Sequence, residues 1–273
     1  VHMDGLCCDM EKICQIASEH GLYVIEDAAQ SIGGYYQGKR LGTLGDVGCF
    51  SLNMNKNITC GEGGIVVTDN KKLFERIFCL HDASAQFNPA MKDFFSETTP
   101  FMGMSMRMSD ISGAIIRVQL GRLDDILNKL KELKDIYIRE LSTIQGLEIV
   151  RGNDSDGECS SSLHFTFPSV DIVRKSGNSL ISNNIPIFPP ASRPAHAVWK
   201  WSNLLNDKSC YHKQHNSYKW SEKKYNYHMF NFLPTAEILA RTLMMNIDIN
   251  QSVECASQTA GMIKNIIEKN LQK

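Results

Sequence analysis

The chain has 273 residues, with 29 Lys and Arg against 30 Asp and Glu and a formal net charge of -1. That length can bury a sizeable core in one large domain or two smaller ones. The balanced charge leaves no electrostatic footprint for nucleic acid. No run approaches about 18 consecutive apolar residues, so no membrane-spanning helix is expected. The 9 cysteines include no C-x-x-C pair. Free thiols in a reducing cytoplasm are therefore expected, and no metal site.

Met10, Ile13, Ile16 and Ala17 recur at helical spacing between Asp9 and His20, and Gly21 is a natural stop. Leu22 to Glu26 then reads as a buried strand that delivers Asp27-Ala28-Ala29-Gln30 at its carboxyl end. Open α/β sheets hold their ligands at such strand tips. Gly33 to Gly45 reads as a turn-laden connector. Cys49 to Leu52 and Ile65 to Thr68 read as two strands around a polar loop that carries Lys56 beside Ser51. A helix is predicted over Asn70 to Cys79, followed by an aperiodic excursion from His81 to Gly103. Met108 to Ile144 is strongly helical, a plausible link between a large and a small domain, with a bend partway. Strands near Leu147 to Val150 and Leu163 to Phe167, with a helix near Val170 to Ser182, open a small α/β domain. The polar stretch from Gly152 to Ser162 reads as a loop and no more. The aromatic-rich tract from Trp199 to Phe232 reads as packing. Pro234 starts a helix from near its N1 position, and Glu254 to Leu271 ends the chain as an amphipathic helix.

Taken singly, the polar candidates have ordinary readings. Lys56 would be a solvated loop charge, Asp27 a helix N-cap and Ser51 a satisfied strand hydroxyl. Their order and company say more. Val1-His2-Met3-Asp4-Gly5, Asp9-Met10, His20-Gly21-Leu22, the block Glu26 to Gln30, Gly42 to Asp46, Phe50 to Thr59, Gly61-Glu62-Gly63-Gly64 and Val66 to Asp69 occur in sequence. Arg107-Met108-Ser109-Asp110 through Leu120 completes the set. This pattern resembles the DegT/DnrJ/StrS sugar aminotransferases, fold type I enzymes that depend on pyridoxal 5'-phosphate (PLP). The match is dense through Asp69 and becomes loose after Ser142.

The resemblance implies an α/β fold, a mixed and mostly parallel sheet flanked by helices, with a small C-terminal α/β domain. Residues 1–128 would be the remainder of the large PLP-binding domain, and 129–273 the linking helix and small domain. It also implies an aminotransferase that moves an amino group, from glutamate in the first instance, to a keto or aldehyde sugar. That sugar would often be nucleotide-linked, for amino-sugar or surface polysaccharide biosynthesis. Lys56 would be the covalent attachment point and proton carrier. Asp27 would keep the pyridine nitrogen protonated, Gln30 would donate to the phenolic oxygen, and Ser51 would bind the phosphate. Ser105 stands where the family commonly has the asparagine of a Tyr-Asn-Tyr segment that reaches the partner subunit's phosphate. His81, Arg193 and His196 are candidates for facing the substrate, and the Trp199 to Phe232 tract for walling it. A cytoplasmic homodimer is implied, with no nucleic-acid or membrane partner. Family members carry a leading region with a phosphate loop and a stacking aromatic ring, so the chain is expected to be N-terminally truncated. Sugar dehydratases of the same fold replace the lysine with histidine, which Lys56 argues against. A non-catalytic regulator of this fold is argued against by the intact set of Lys56, Asp27, Gln30 and Ser51.

Overall fold

The computed structural model of the chain describes residues 1–83, 87, 91, 93–193, 197–205 and 228–272. They pack into two units, Val1–Glu132 with Arg151–Ser161, and Leu133–Val150 with Ser162–Lys273. The division between them falls inside one helix.

In the first unit, α1 (Met10–Glu19) begins where Asp9 accepts a hydrogen bond from the Lys12 N–H, satisfying one orphan donor of the first turn. β1 (Ile25–Asp27) follows, then a short hairpin of β2 (Tyr35–Tyr36) and β3 (Lys39–Arg40). β4 (Val47–Ser51) and β5 (Gly64–Val67) complete a three-stranded mixed sheet of order β1-β4-β5. β1 runs parallel to β4, and β4 antiparallel to β5. Asn70 caps α2 (Lys71–His81), and Ser109 caps α3 (Asp110–Leu120). α4 (Leu123–Leu141) is separate from α3, because the helical run predicted from Met108 breaks at Gly121 and Arg122. Ile32, Leu52, Ile58, Ile116 and Leu123 form one buried cluster, and Cys7, Met10, Tyr36 and Leu41 another. Each such aliphatic or aromatic side chain contributes roughly 1.5–3 kcal/mol when fully buried.

β1 differs from its sequence reading. It begins at Ile25 rather than Leu22, and Leu22 and Tyr23 are exposed. The reason lies in Asp46. Its carboxylate accepts the Val24 N–H at 2.7 Å, and its own N–H bonds the Val24 carbonyl at 2.9 Å. Backbone groups that a longer strand would offer to a ladder are thus used by a loop. Ile25 itself is 68 % exposed, so the strand is covered on one face only.

The second unit contains β6 (Glu148–Val150), β7 (Ser162–Thr166), α5 (Val170–Ser182), α6 (Ser202–Leu205), α7 (Leu233–Ala240), β8 (Thr242–Asn246) and α8 (Val253–Leu271). Its sheet is antiparallel, with β7 between β6 and β8. α5 buries Val173, Ser176, Gly177 and Leu180, the i, i+3, i+4, i+7 stripe of a helix facing a core. It packs on α8, which buries Ala256, Ala260, Ile263 and Ile267. β8 was not anticipated. Its Leu243-Met244-Met245 run lacks the β-branched residues that signal a strand.

The stretch from Arg151 to Ser161 is irregular, as its composition suggests, but it is not a free loop. Gly157, Glu158, Cys159 and Ser160 are buried. Backbone-to-backbone bonds join it to the rest of the first unit at three places: Tyr35 N–H to the Gly157 carbonyl (2.7 Å), Asn153 N–H to the Cys7 carbonyl (3.1 Å), and Cys159 N–H to the Gly5 carbonyl (3.2 Å). A polar segment can pack when its backbone finds partners, and composition does not report that. Among the described residues no helix is long and apolar enough to cross a membrane.

Candidate active site

Register places the central candidates. Asp27 pairs with Cys49 across the parallel β1–β4 ladder, and Ser51 pairs with Gly64 across β4–β5. Side chains alternate along a strand, so Ile25, Asp27, Cys49, Ser51 and Val66 share one face. Their neighbours Glu26, Gly48, Phe50 and Ile65 share the other. The first face is the open one, with Val66 46 % exposed beside the exposed Ile25. Asp27 and Ser51 therefore stand at the carboxyl ends of adjacent parallel strands, on the uncovered side. Cys49 lies between them. Burial pushes its thiol pKa up, and the Asp27 charge adds to the shift.

The turn after β1 is well held. Asp27 Oδ1 accepts the Ala29 N–H at 3.1 Å, an Asx-type turn. Ala28 N–H extends the ladder to the Cys49 carbonyl at 2.9 Å. Gln30 Oε1 accepts the Asp4 N–H at 2.7 Å. A backbone donor at that distance identifies the atom as the amide oxygen, which leaves the Nε2 donors facing away. Among the described residues, neither Asp27 Oδ2 nor Gln30 Nε2 has a hydrogen-bond partner.

Behind Asp27 sits a buried pair that the sequence reading missed. His2 Nδ1 accepts the Cys8 N–H at 3.1 Å, so the proton of the neutral ring is on Nε2 and is donated to Glu26 Oε2 at 3.0 Å. Glu26 also accepts N–H groups from Gly42 (2.8 Å), Leu44 (2.6 Å) and Gly45 (2.6 Å). Burial raises the carboxyl pKa of Glu26, but the His2 and backbone hydrogen bonds outweigh it and hold the group below the usual range. Alternation was the available signal, since two adjacent acids on a half-covered strand must face opposite sides.

Lys56 rides on a pinned loop. Leu52 and Ile58 are fully buried at its base. Thr59 Oγ1 and Cys60 N–H both donate to the Leu52 carbonyl, at 2.9 and 3.2 Å, and Leu52 N–H donates to Gly63. Asn53 braces the tip, accepting from the N–H of Lys56 and of Asn55 and donating to Glu62 at 2.7 Å. Lys56 is half-buried, and its Nζ has no partner among the described residues.

Ser105 lies on an exposed segment beside the end of α2. Met104 N–H bonds the Leu80 carbonyl and Met106 N–H the His81 carbonyl, each at 2.8 Å, so Ser105 and His81 are brought together. The Ser105 φ of 54° is left-handed, a region that suits asparagine better than serine. Three residues on, Met108 Sδ touches Cys60 Sγ of the lysine loop at 3.5 Å. His81 is half-buried against Phe78. Arg193 belongs to the second unit, its guanidinium 4.8 Å from the Phe188 ring centre. His196 lies outside the described residues, as does most of the Trp199 to Phe232 tract. No group of three or more His, Cys, Asp or Glu among the described residues is placed to hold a metal ion.

The sequence profile of the DegT/DnrJ/EryC1/StrS aminotransferase family matches residues 1–235. The chain belongs to this family. It is 40 % identical over 144 residues to the GDP-perosamine synthase of Escherichia coli O157:H7, a stretch covering 53 % of this chain and 38 % of that enzyme. It is 31 % identical over 210 residues to the GDP-perosamine synthase of Vibrio cholerae, covering 75 % and 54 %. The chain thus spans about half the length, or less, of these curated relatives. Among solved structures, S. venezuelae DesV in complex with a ketimine intermediate superposes with a TM-score of 0.72 at 25 % identity, over 98 % of this chain and 64 % of that one. The fold is that of the fold type I aminotransferases, mixed α/β with helices around a sheet.

Proposed function

We propose that the protein is a PLP-dependent aminotransferase that passes an amino group from an amino acid, glutamate in the first instance, to a keto or aldehyde sugar. The sugar is of the nucleotide-linked kind that feeds amino-sugar and surface polysaccharide synthesis. One observation carries the reading. Asp27 and Ser51 share the open face at the carboxyl ends of β1 and β4, and the loop that leaves Ser51 presents Lys56, unpaired among the described residues.

The donor set fits the cofactor. PLP supplies an aldehyde that can hold an amino group and a ring that withdraws electrons from it. Among the described residues, Asp27 Oδ2 and the Gln30 NH2 have no partner, which suits a protonated ring nitrogen and a phenolic oxygen respectively. The Ser51 hydroxyl accepts from Asn53 N–H at 3.4 Å and retains its own proton for a phosphate. Lys56, half-buried on a braced loop, serves as attachment point and carries the proton between substrate and cofactor. Its being lysine favours transfer over the dehydration performed by histidine-bearing relatives of this fold. His81, Arg193 and His196 are proposed to face the substrate.

We take the working form to be a cytoplasmic homodimer. Ile111, Ile115 and Val118, at i, i+4 and i+7 of α3, are all exposed, as are Met102, Met104 and Met106 around Ser105. An apolar helical stripe left to solvent is a usual mark of an association surface. Incubation of the purified protein with PLP, glutamate and a panel of nucleotide-linked keto sugars tests the reading. Formation of an amino sugar with matching 2-oxoglutarate supports it. No amino-group transfer to any keto sugar from any amino donor overturns it.

A further inference from the structure

The turn that precedes α1 touches the last residue of β1 and the turn that follows it. His2 N–H bonds the Asp27 carbonyl at 3.0 Å, and Asp4 N–H bonds Gln30 Oε1 at 2.7 Å. To aim that N–H, the backbone adopts φ of 52° at Asp4 and 82° at Gly5, both left-handed. Such conformations persist only where the surroundings over-determine them. The surroundings here are the Glu26–His2 pair on one side and the Arg151–Ser161 segment on the other. Cys159 N–H bonds the Gly5 carbonyl at 3.2 Å. A Cβ on Gly5 would meet Cys159 Cβ at 3.0 Å and Ser161 Oγ at 3.2 Å. The segment is itself seated by Gly157, where a Cβ would collide with the Tyr35 carbonyl. Cys159 is fully buried, with its Sγ 3.6 Å from the Ile32 carbonyl. Gly5 is therefore pressed between the Gln30 turn and a segment from far along the chain.

We propose that Gly5, backed by Cys159 of the Arg151–Ser161 segment, is a positioning residue for Gln30. An amide has one oxygen and one NH2. With the oxygen engaged by Asp4, the amide cannot flip, and its NH2 is left to donate to the cofactor's phenolic oxygen. The segment thus acts on cofactor binding without touching the cofactor. This inference rests on the reading of Gln30 given above.

The test uses two readouts on the purified protein, PLP titration and hydrogen exchange at the Asp4 amide without PLP. Slow exchange at Asp4 is expected, becoming fast in Gln30→Leu and in Gly5→Ala. Cys159→Ala, which removes the Sγ contact to the Ile32 carbonyl and empties space beside the turn, should speed exchange several-fold and gives the answer if Gly5→Ala does not fold. Gln30→Leu should weaken PLP about tenfold, the scale of one hydrogen bond to a charged group. Gly5→Ala should weaken it to a similar degree, and the double variant no further than Gln30→Leu alone. Fast Asp4 exchange in the unmodified protein overturns the proposal. So do additive losses in the double variant, or unchanged exchange in Cys159→Ala. Unchanged PLP affinity in Gln30→Leu, with the exchange pattern as expected, would instead overturn the cofactor role of Gln30 and leave the positioning intact.

Discussion

Glu26 and Asp27 are adjacent acids on one short strand, and they face opposite ways. Glu26 is buried, with both oxygens saturated by His2 and three backbone N–H groups. Asp27 is exposed on the open face, with one oxygen in a turn and the other unpartnered among the described residues. The contrast teaches how this fold divides labour. A saturated buried carboxylate fixes the strand end and has nothing left to offer a ligand. Its neighbour, one residue along, inherits the fixed position and keeps its capacity to bind. Stability and chemistry are thus separated by the pleat of a single strand.

Substitutions at the two positions should therefore fail in different assays. Asp27→Asn should lower kcat by at least about 100-fold, or about 3 kcal/mol for one electrostatic contact in a closed site, with an unchanged melting temperature. Glu26→Gln should do the reverse, costing about 3 kcal/mol of stability because a hydrogen-bonded buried ionic site is broken. Denaturant titration measures that loss, and kcat per folded molecule should stay near normal.

Acid sharpens the comparison further. Glu26 has a depressed pKa when folded, so its stabilisation is full above the unfolded value of about 4.3 and is lost as pH falls through the lowered folded value. Stability should drop in that acid range, and Glu26→Gln should flatten the drop. Ser51→Ala, on the open face, should weaken PLP by about fivefold, the equivalent of one hydrogen bond near 1 kcal/mol, without affecting the fold. The smallest effect concerns backbone alone. Ser105→Asn should raise stability by about 0.5 kcal/mol, because asparagine tolerates the left-handed region better. A thermal melt detects it.

Much of this was legible in the residues. The α1, α2, α5 and α8 helices lie close to where the residues placed them, and the structure adds the caps at Asp9, Asn70, Ser169 and Ser252. Asp27, Gln30, Ser51 and Lys56 stood out because their order matched a known family. Burial of the Glu26 strand was misread, because an apolar run does not say whether both faces are covered. Leu22 and Tyr23 are apolar and exposed all the same. The Arg151–Ser161 segment was missed for the opposite reason. It is polar, and its attachment runs through backbone groups and glycines that look like any loop's. β8 carries methionines where a strand signal would need branched residues. Arg193 stacks on Phe188, a contact that no spacing rule foretells.

The central claim is that Lys56, on the loop braced by Asn53 and anchored by Leu52 and Ile58, is where the cofactor attaches. Borohydride reduction of the PLP-loaded protein, followed by peptide mass spectrometry, tests it most directly. The account predicts one phosphopyridoxyl adduct, on the peptide containing Lys56, and none in Lys56→Ala. An adduct on another lysine in the unmodified protein, or full aminotransferase activity in Lys56→Ala, would contradict it.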